Sequence, residues 1–223
     1  MITVHHLENS RSQRILWLLE ELDLAYEVVR YARDAKTMLA PPELKQIHPL
    51  GRSPVITDGD VTVAESGTII EYLVERRGDG RLKPAADDAA WLDYTYWLHY
   101  AEGSLMPLLV MKLIFGRLSK SPMPLPMRPF GALIGAGVQG QFLDPRIDEA
   151  LAFADASLKD RDWFAGDEFT AADIQMSFPL EAAAARGGLD GRYPALAGFL
   201  ERAQARPAYE RALERGGPYE LMR

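Results

Sequence analysis

Cysteine is absent from the 223 residues. Its absence excludes a disulfide framework, a thiolate metal site and a cysteine nucleophile, so any thiol chemistry must borrow its sulfur from a small molecule. No apolar run reaches the roughly 20 residues of a membrane span. The four histidines, His5, His6, His48 and His99, lack metal-ligand spacing, and on a strand His5 and His6 point to opposite faces, so no metal is expected. A net charge of −7 argues against nucleic acid or an anionic membrane as a general partner. Met1 to Val4 enters a strand pattern directly, and the expectation is a soluble, cytoplasmic protein.

What is present is an ordinary globular composition, 48% apolar and 26% charged. The length suits one large core or two smaller ones, and two domains are expected. Ile2 to His6 reads as a strand, Ile15, Leu18, Leu19 and Leu22 as a helical stripe, and Tyr26 to Val29 as a second strand. Such a crossover makes parallel neighbours. Pro41-Pro42-Glu43-Leu44-Lys45 suggests a short helix. The polar segment from Gly78 to about Ala86 is the expected boundary, giving domains at 1–78 and 87–223.

Beyond that boundary helices dominate. Trp91 to Phe115 is apolar around most of its circumference, with Pro107 expected to kink or split it. The stretch from Ser121 through Pro122, Pro124, Pro126 and Pro129 to Gly131, Gly135 and Gly137 reads as too rich in breakers for a regular element. It is either a long surface loop or, with Met123 and Met127, an adaptable rim over an apolar pocket. Ile147, Ala150, Leu151, Ala154 and Leu158 form a clean stripe, Thr170 to Asp173 has capping-box spacing, and Leu196 to Ala203 is one more helix.

The richest stretch runs from His48 to Gly67. Val55 to Thr57 and Val61 to Ala64 are β-rich, with the hairpin signal Asp58-Gly59 between them. Glu65-Ser66-Gly67-Thr68 then opens a helix with Ile69, Ile70, Leu73 and Val74 on one stripe, capped at Ser66 or its neighbour. A helix start with free amides takes a carboxylate, and a neighbouring Glu takes an ammonium group, so the pair suits an α-amino acid head group. Pro54 at a strand start is a candidate cis residue that leaves the Val55 backbone open to an extended peptide. The same spacing also fits an ordinary hairpin packed on a capped helix.

The order Pro49-Leu50-Gly51-Arg52-Ser53-Pro54-Val55, then Ala64-Glu65-Ser66 and an Ile-Ile-Glu-Tyr-Leu helix, resembles the glutathione-binding motif of the cytosolic glutathione S-transferase family, of the bacterial or fungal type with Ser or Asn in the catalytic turn. The resemblance implies an α/β thioredoxin-like N-terminal domain followed by an all-α domain with a hydrophobic substrate site. It implies a cis-proline whose following residue, Val55, pairs with the cysteinyl part of glutathione, and a Glu65-Ser66 pair holding the γ-glutamyl end. It also implies a homodimer packed through the helix at 91–115 and its neighbour. The thiolate donor belongs where the first strand meets the first helix.

Ser10 and Asn9 occupy that turn. Ser10-Arg11-Ser12-Gln13 is itself a capping box, but a hydroxyl that accepts an amide keeps its own proton to donate, so Ser10 can serve both ends. Arg52 is the candidate for the glycine carboxylate, with His48 beside it. The implied reaction is conjugation of glutathione, as co-substrate, to a small electrophilic apolar substrate, a detoxifying chemistry. The alternatives are glutathione-dependent reduction of peroxides or disulfides, and a noncatalytic glutathione-binding module.

Overall fold

The computed structural model describes residues 1–34, 37–120, 123–186, 188–217, 219 and 221. The first half is β1 (Ile2–Leu7), α1 (Ser12–Glu21), β2 (Tyr26–Tyr31), α2 (Leu44–Ile47), β3 (Val55–Asp58), β4 (Val61–Ala64) and α3 (Ser66–Arg76). Its sheet has the order β2-β1-β3-β4, parallel between β1 and β2 and antiparallel elsewhere. This is a thioredoxin-like arrangement. From Ser12 to Leu19 every residue of α1 is buried, because the helix is covered by the sheet on one side and by helices of the second half on the other.

The hairpin forms one residue later than the sequence suggests. Asp58 closes β3 opposite Val61, and Gly59, at φ +59°, makes the two-residue turn with Asp60. Asp58 stays in the strand because its carboxylate, in a residue 4% exposed, accepts from Tyr72 Oη at 2.9 Å and Arg77 Nε at 2.6 Å. Both donors sit on or just past α3, so the hairpin is tied to the helix that follows it.

The second half contains α4 (Trp91–Tyr100), α5 (Met106–Gly116), α6 (Arg128–Val138), α7 (Asp144–Ser157), α8 (Ala171–Ala185), α9 (Pro194–Gln204) and α10 (Pro207–Gly216). The expected break near Pro107 is a π-helical segment at Ala101–Leu105, and Pro107 itself opens α5, where its missing N–H costs nothing. The breaker-rich stretch is not irregular throughout. Ser121 and Pro122 lie outside the described residues, but a 3₁₀ turn at Leu125–Met127 leads into α6, with Pro129 in its first turn. Gly131 and Gly135 are helical there because a Cβ at either would lie 2.2 Å from the Leu118 carbonyl oxygen or 2.5 Å from that of Phe115. They are spacing residues of a close helix pair, not helix breakers.

α8 is the buried axis of this half, and its start is fixed as the sequence suggests: the Asp173 carboxylate accepts from the amides of Phe164 and Thr170, both at 2.8 Å, and from the Thr170 hydroxyl at 2.9 Å. α10, which the periodicity did not single out, packs on α1. One apolar core runs through both halves, from Ile15, Leu18 and Ile70 to Phe164, Ile174 and Phe199.

Candidate functional site

A cleft opens where the end of β4, the start of α3, the loop before β3 and the π-helical segment meet. Arg11, His48, Leu50, Arg52, Ser53, Pro54, Ala64, Glu65, Ser66 and Glu102 line it. Two of these residues belong to the start of α3. Glu65 occupies the cap of α3 at φ +70°, ψ 129°, its carboxylate exposed and unpaired among the described residues. That backbone region disfavours an L side chain and stores about 1–3 kcal/mol. Ser66, the first helical residue, is buried and accepts from Arg14 Nη2 at 2.7 Å.

Arg14 is 2% exposed in the first turn of α1. It donates to Ser66, to the carbonyl of Gln175 in α8 at 2.7 Å, and to Glu102 through a very short contact. Glu102 also accepts a bifurcated bond from the single Arg11 Nε–H, at 2.9 and 3.0 Å to its two oxygens. Burial pushes the Glu102 carboxyl up, but Arg14 and Arg11 together reverse this and hold it below its ordinary value. Two arginines thus lock the acid from the second half against the helix start of the first. No local pattern signals this lock, since Arg14 and Glu102 lie 88 residues apart.

The lining that comes from the loop before β3 is cationic and unpaired. Arg52 is exposed and makes no ion pair among the described residues, and His48, at the end of α2, lies near it in the lining. Ser53-Pro54 is a cis peptide, and both residues face the cleft. Val55 does not. It has no exposed surface, because its side chain enters the core and its backbone lies within the β3–β4 hairpin, opposite Ala64, so the expectation that it pairs with an extended ligand is corrected: the exposed neighbour is Ser53.

Behind Ser53 stands Ser10, 5% exposed, with the two hydroxyl oxygens 3.4 Å apart. The capping box expected at Ser10 is not made. α1 starts at Ser12 with Arg11 at its cap, the Ser10 hydroxyl accepts the Ser12 amide at 3.2 Å, and the Gln13 side chain turns away toward Gly216 of α10, without a hydrogen-bond partner among the described residues. Asn9, at φ +50°, precedes it, and its carbonyl accepts from Arg33 at 3.4 Å. Neither Ser10 nor Asn9 lines the cleft itself, and neither does any described residue of the 121–130 insert. No group of three or more His, Cys, Asp or Glu able to hold a metal occurs among the described residues.

An exposed carboxylate and a buried, helix-starting serine from the start of α3, together with an unpaired arginine and a hydroxyl from the loop before β3, suit a zwitterion with an amino-acid head and a second carboxylate. Residues 1–75 match the family model for the glutathione S-transferase N-terminal domain, and residues 141–207 that for the C-terminal domain. The chain is 40% identical to glutathione S-transferase 3 of Schizosaccharomyces pombe over 82% of this chain and 74% of the relative. It is 33% identical to glutathione S-transferase 1 of Saccharomyces cerevisiae over 96% and 95%. A solved glutathione S-transferase from Actinobacillus pleuropneumoniae superposes with a TM-score of 0.79 at 32% identity, over 99% of this chain and 95% of the other.

Proposed function

The chain belongs to the glutathione S-transferase family, and we propose that it binds glutathione along this cleft and conjugates the thiolate to small electrophilic, apolar substrates. The observation that carries the reading is that the Glu65-Ser66 helix start and the unpaired Arg52 line one cleft. Glu65 takes the γ-glutamyl ammonium, Ser66 and the first amides of α3 take its carboxylate, and Arg52, with His48 beside it, takes the glycine carboxylate. The Ser53 backbone, beside Pro54, pairs with the cysteinyl unit, and the sulfur then lies toward Ser10.

Activation is a matter of thiol acidity. A free thiol ionises near pH 8.5, and lowering that by about two units corresponds to roughly 2.7 kcal/mol. A charge-assisted hydrogen bond supplies about 1.5–3 kcal/mol of it. Ser10 is the donor in this reading, with Asn9 as the second candidate. The S–H proton leaves to solvent, and the thiolate attacks the electrophilic carbon, forming a thioether and expelling the leaving group.

The electrophile occupies the helical half, and we place the division between the halves in the segment 78–87. A homodimer is part of the proposal, supported by exposed Leu92, Ile114, Leu133 and Ile134 on α4, α5 and α6. Residence in the cytoplasm fits a chain that depends on reduced glutathione, which a reducing poise maintains. The experiment is turnover of glutathione with a chloronitroaromatic acceptor. Chloride release with thioether formation supports the reading; turnover only with peroxides or disulfides would replace the reaction, and glutathione binding with no turnover would reduce the protein to a binding module.

A further inference from the structure

Three serines and a histidine form a continuous row inward from the cleft. Ser53 Oγ lies 3.4 Å from Ser10 Oγ, Ser10 Oγ lies 2.8 Å from Ser12 Oγ, and Ser12 Oγ lies 2.9 Å from His6 Nδ1. Ser10, Ser12 and His6 are all buried. Each hydroxyl owns one proton, so each link in the row is donated from one side only.

The two ends decide which. At the cleft, Ser53 Oγ has the His5 carbonyl 3.3 Å away, an acceptor that only Ser53's own proton can satisfy within the row. With that bond made, Ser10 donates to Ser53, Ser12 donates to Ser10, and His6 Nδ1 must carry the proton given to Ser12, for four hydrogen bonds in all. The reverse direction ends on a bare Nδ1 and leaves the His5 carbonyl out, one bond fewer. Giving the Ser12 proton to the Leu7 carbonyl, 3.3 Å away, with Ser10 donating to Ser12, also makes four bonds and also needs a protonated His6 Nδ1; a thiolate in the cleft, as a charged acceptor, selects the outward direction.

We infer that His6, in its Nδ1–H tautomer, is a positioning residue that acts through Ser12 to aim the Ser10 proton at the glutathione sulfur. The inference rests on the reading of Ser10 as the thiolate donor. In the outward direction Ser10 accepts twice, from the Ser12 amide and the Ser12 hydroxyl, so its lone pairs are occupied and its proton has only the cleft to serve. Two accepted bonds also polarise the hydroxyl and strengthen the bond it donates. The long 3.4 Å link to Ser53 is the one a thiolate replaces. Burial, aided by the Arg30 charge and opposed by Glu8, pushes His6 down to about 4, so it stays neutral near pH 7 and holds a single ring proton.

The test is the ¹⁵N spectrum of the imidazoles in the full-length protein, which has only four histidines. His6, assigned by the signal missing from His6→Asn, is expected to show a protonated Nδ1 and a bare Nε2; a bare Nδ1 overturns the inference. In parallel, the thiolate absorbance of bound glutathione is titrated in Ser12→Ala and Ser12→Thr. Ser12→Ala should raise the bound thiol pKa by about half a unit, which takes the thiolate fraction at pH 7 from about three quarters to about one half, with glutathione KM unchanged, and Ser12→Thr should restore it. A Ser12→Ala titration that is unchanged or lowered, while Ser10→Ala raises the pKa, sinks the positioning role alone. If Ser10→Ala is also silent, the donor reading falls with it.

Discussion

Arg14 and Ser66, 52 residues apart, share a buried hydrogen bond of 2.7 Å that ties the first turn of α1 to the first residue of α3. The same guanidinium holds Glu102 from the helical half, so the part of the cleft formed by Ser66 and Glu102 is assembled by an arginine that does not line it.

Glu102→Gln should therefore do more damage than its position at the rim suggests. It leaves Arg14 buried without its counter-charge, at a cost of about 3 kcal/mol in a denaturant titration, together with weaker glutathione binding by calorimetry. The Glu102 carboxyl is held below its ordinary value of 4.5, so its stabilisation is present above that pH and is lost as the pH falls through the depressed folded-state value. The stability gap between wild type and Glu102→Gln should accordingly close in acid.

At Glu65, the substitutions to Gly and to Ala separate backbone from side chain. Both remove the carboxylate, and each should weaken glutathione binding by about 1.5–3 kcal/mol, some ten- to hundredfold. Only Gly accepts φ +70° without strain, so Glu65→Gly should melt higher than Glu65→Ala. Equal melting temperatures would mean that the helix start carries no strain.

Asp173→Ala removes the acceptor of three hydrogen bonds at the start of α8 and strands the buried Phe164 amide. A loss of about 3 kcal/mol is expected, with turnover per folded molecule retained, because nothing in this box touches the cleft.

For the dimer, light scattering should report twice the 24.9 kDa chain mass at micromolar concentration. Leu92→Glu combined with Leu133→Glu, which places charge on two side chains that are 69% and 73% exposed, should shift the population to single chains. A wild-type protein that scatters as one chain removes the homodimer from the account.

Signals carried by neighbouring residues were legible. The Thr170–Asp173 box, the β3–β4 hairpin and the apolar stripe of α3 each depend on spacings of a few residues, and each forms, the hairpin with its turn shifted because Asp58 is anchored by Tyr72 and Arg77 on the next element. What failed depended on distant partners. Gly131 and Gly135 read as breakers until the carbonyls of Leu118 and Phe115 are seen against them. The Ser10 box is unmade because the Gln13 side chain is drawn under α10, a helix that lies nearly two hundred residues further on. At the site, Glu65, Ser66 and Arg52 were readable as types at a helix start and in a loop, whereas Glu102, Arg11 and Arg14 are joined to them only by tertiary folding.

The central claim is that this cleft binds glutathione and that Ser10 ionises its thiol. The most direct measurement is the thiolate absorbance of bound glutathione against pH in wild type, Ser10→Ala and Asn9→Ala, with calorimetry alongside. Wild type should titrate about two units below the free thiol, and Ser10→Ala about one to two units above wild type at nearly unchanged affinity. A Ser10→Ala curve that overlays wild type would contradict the account, and a shift confined to Asn9→Ala would move the donor to that residue.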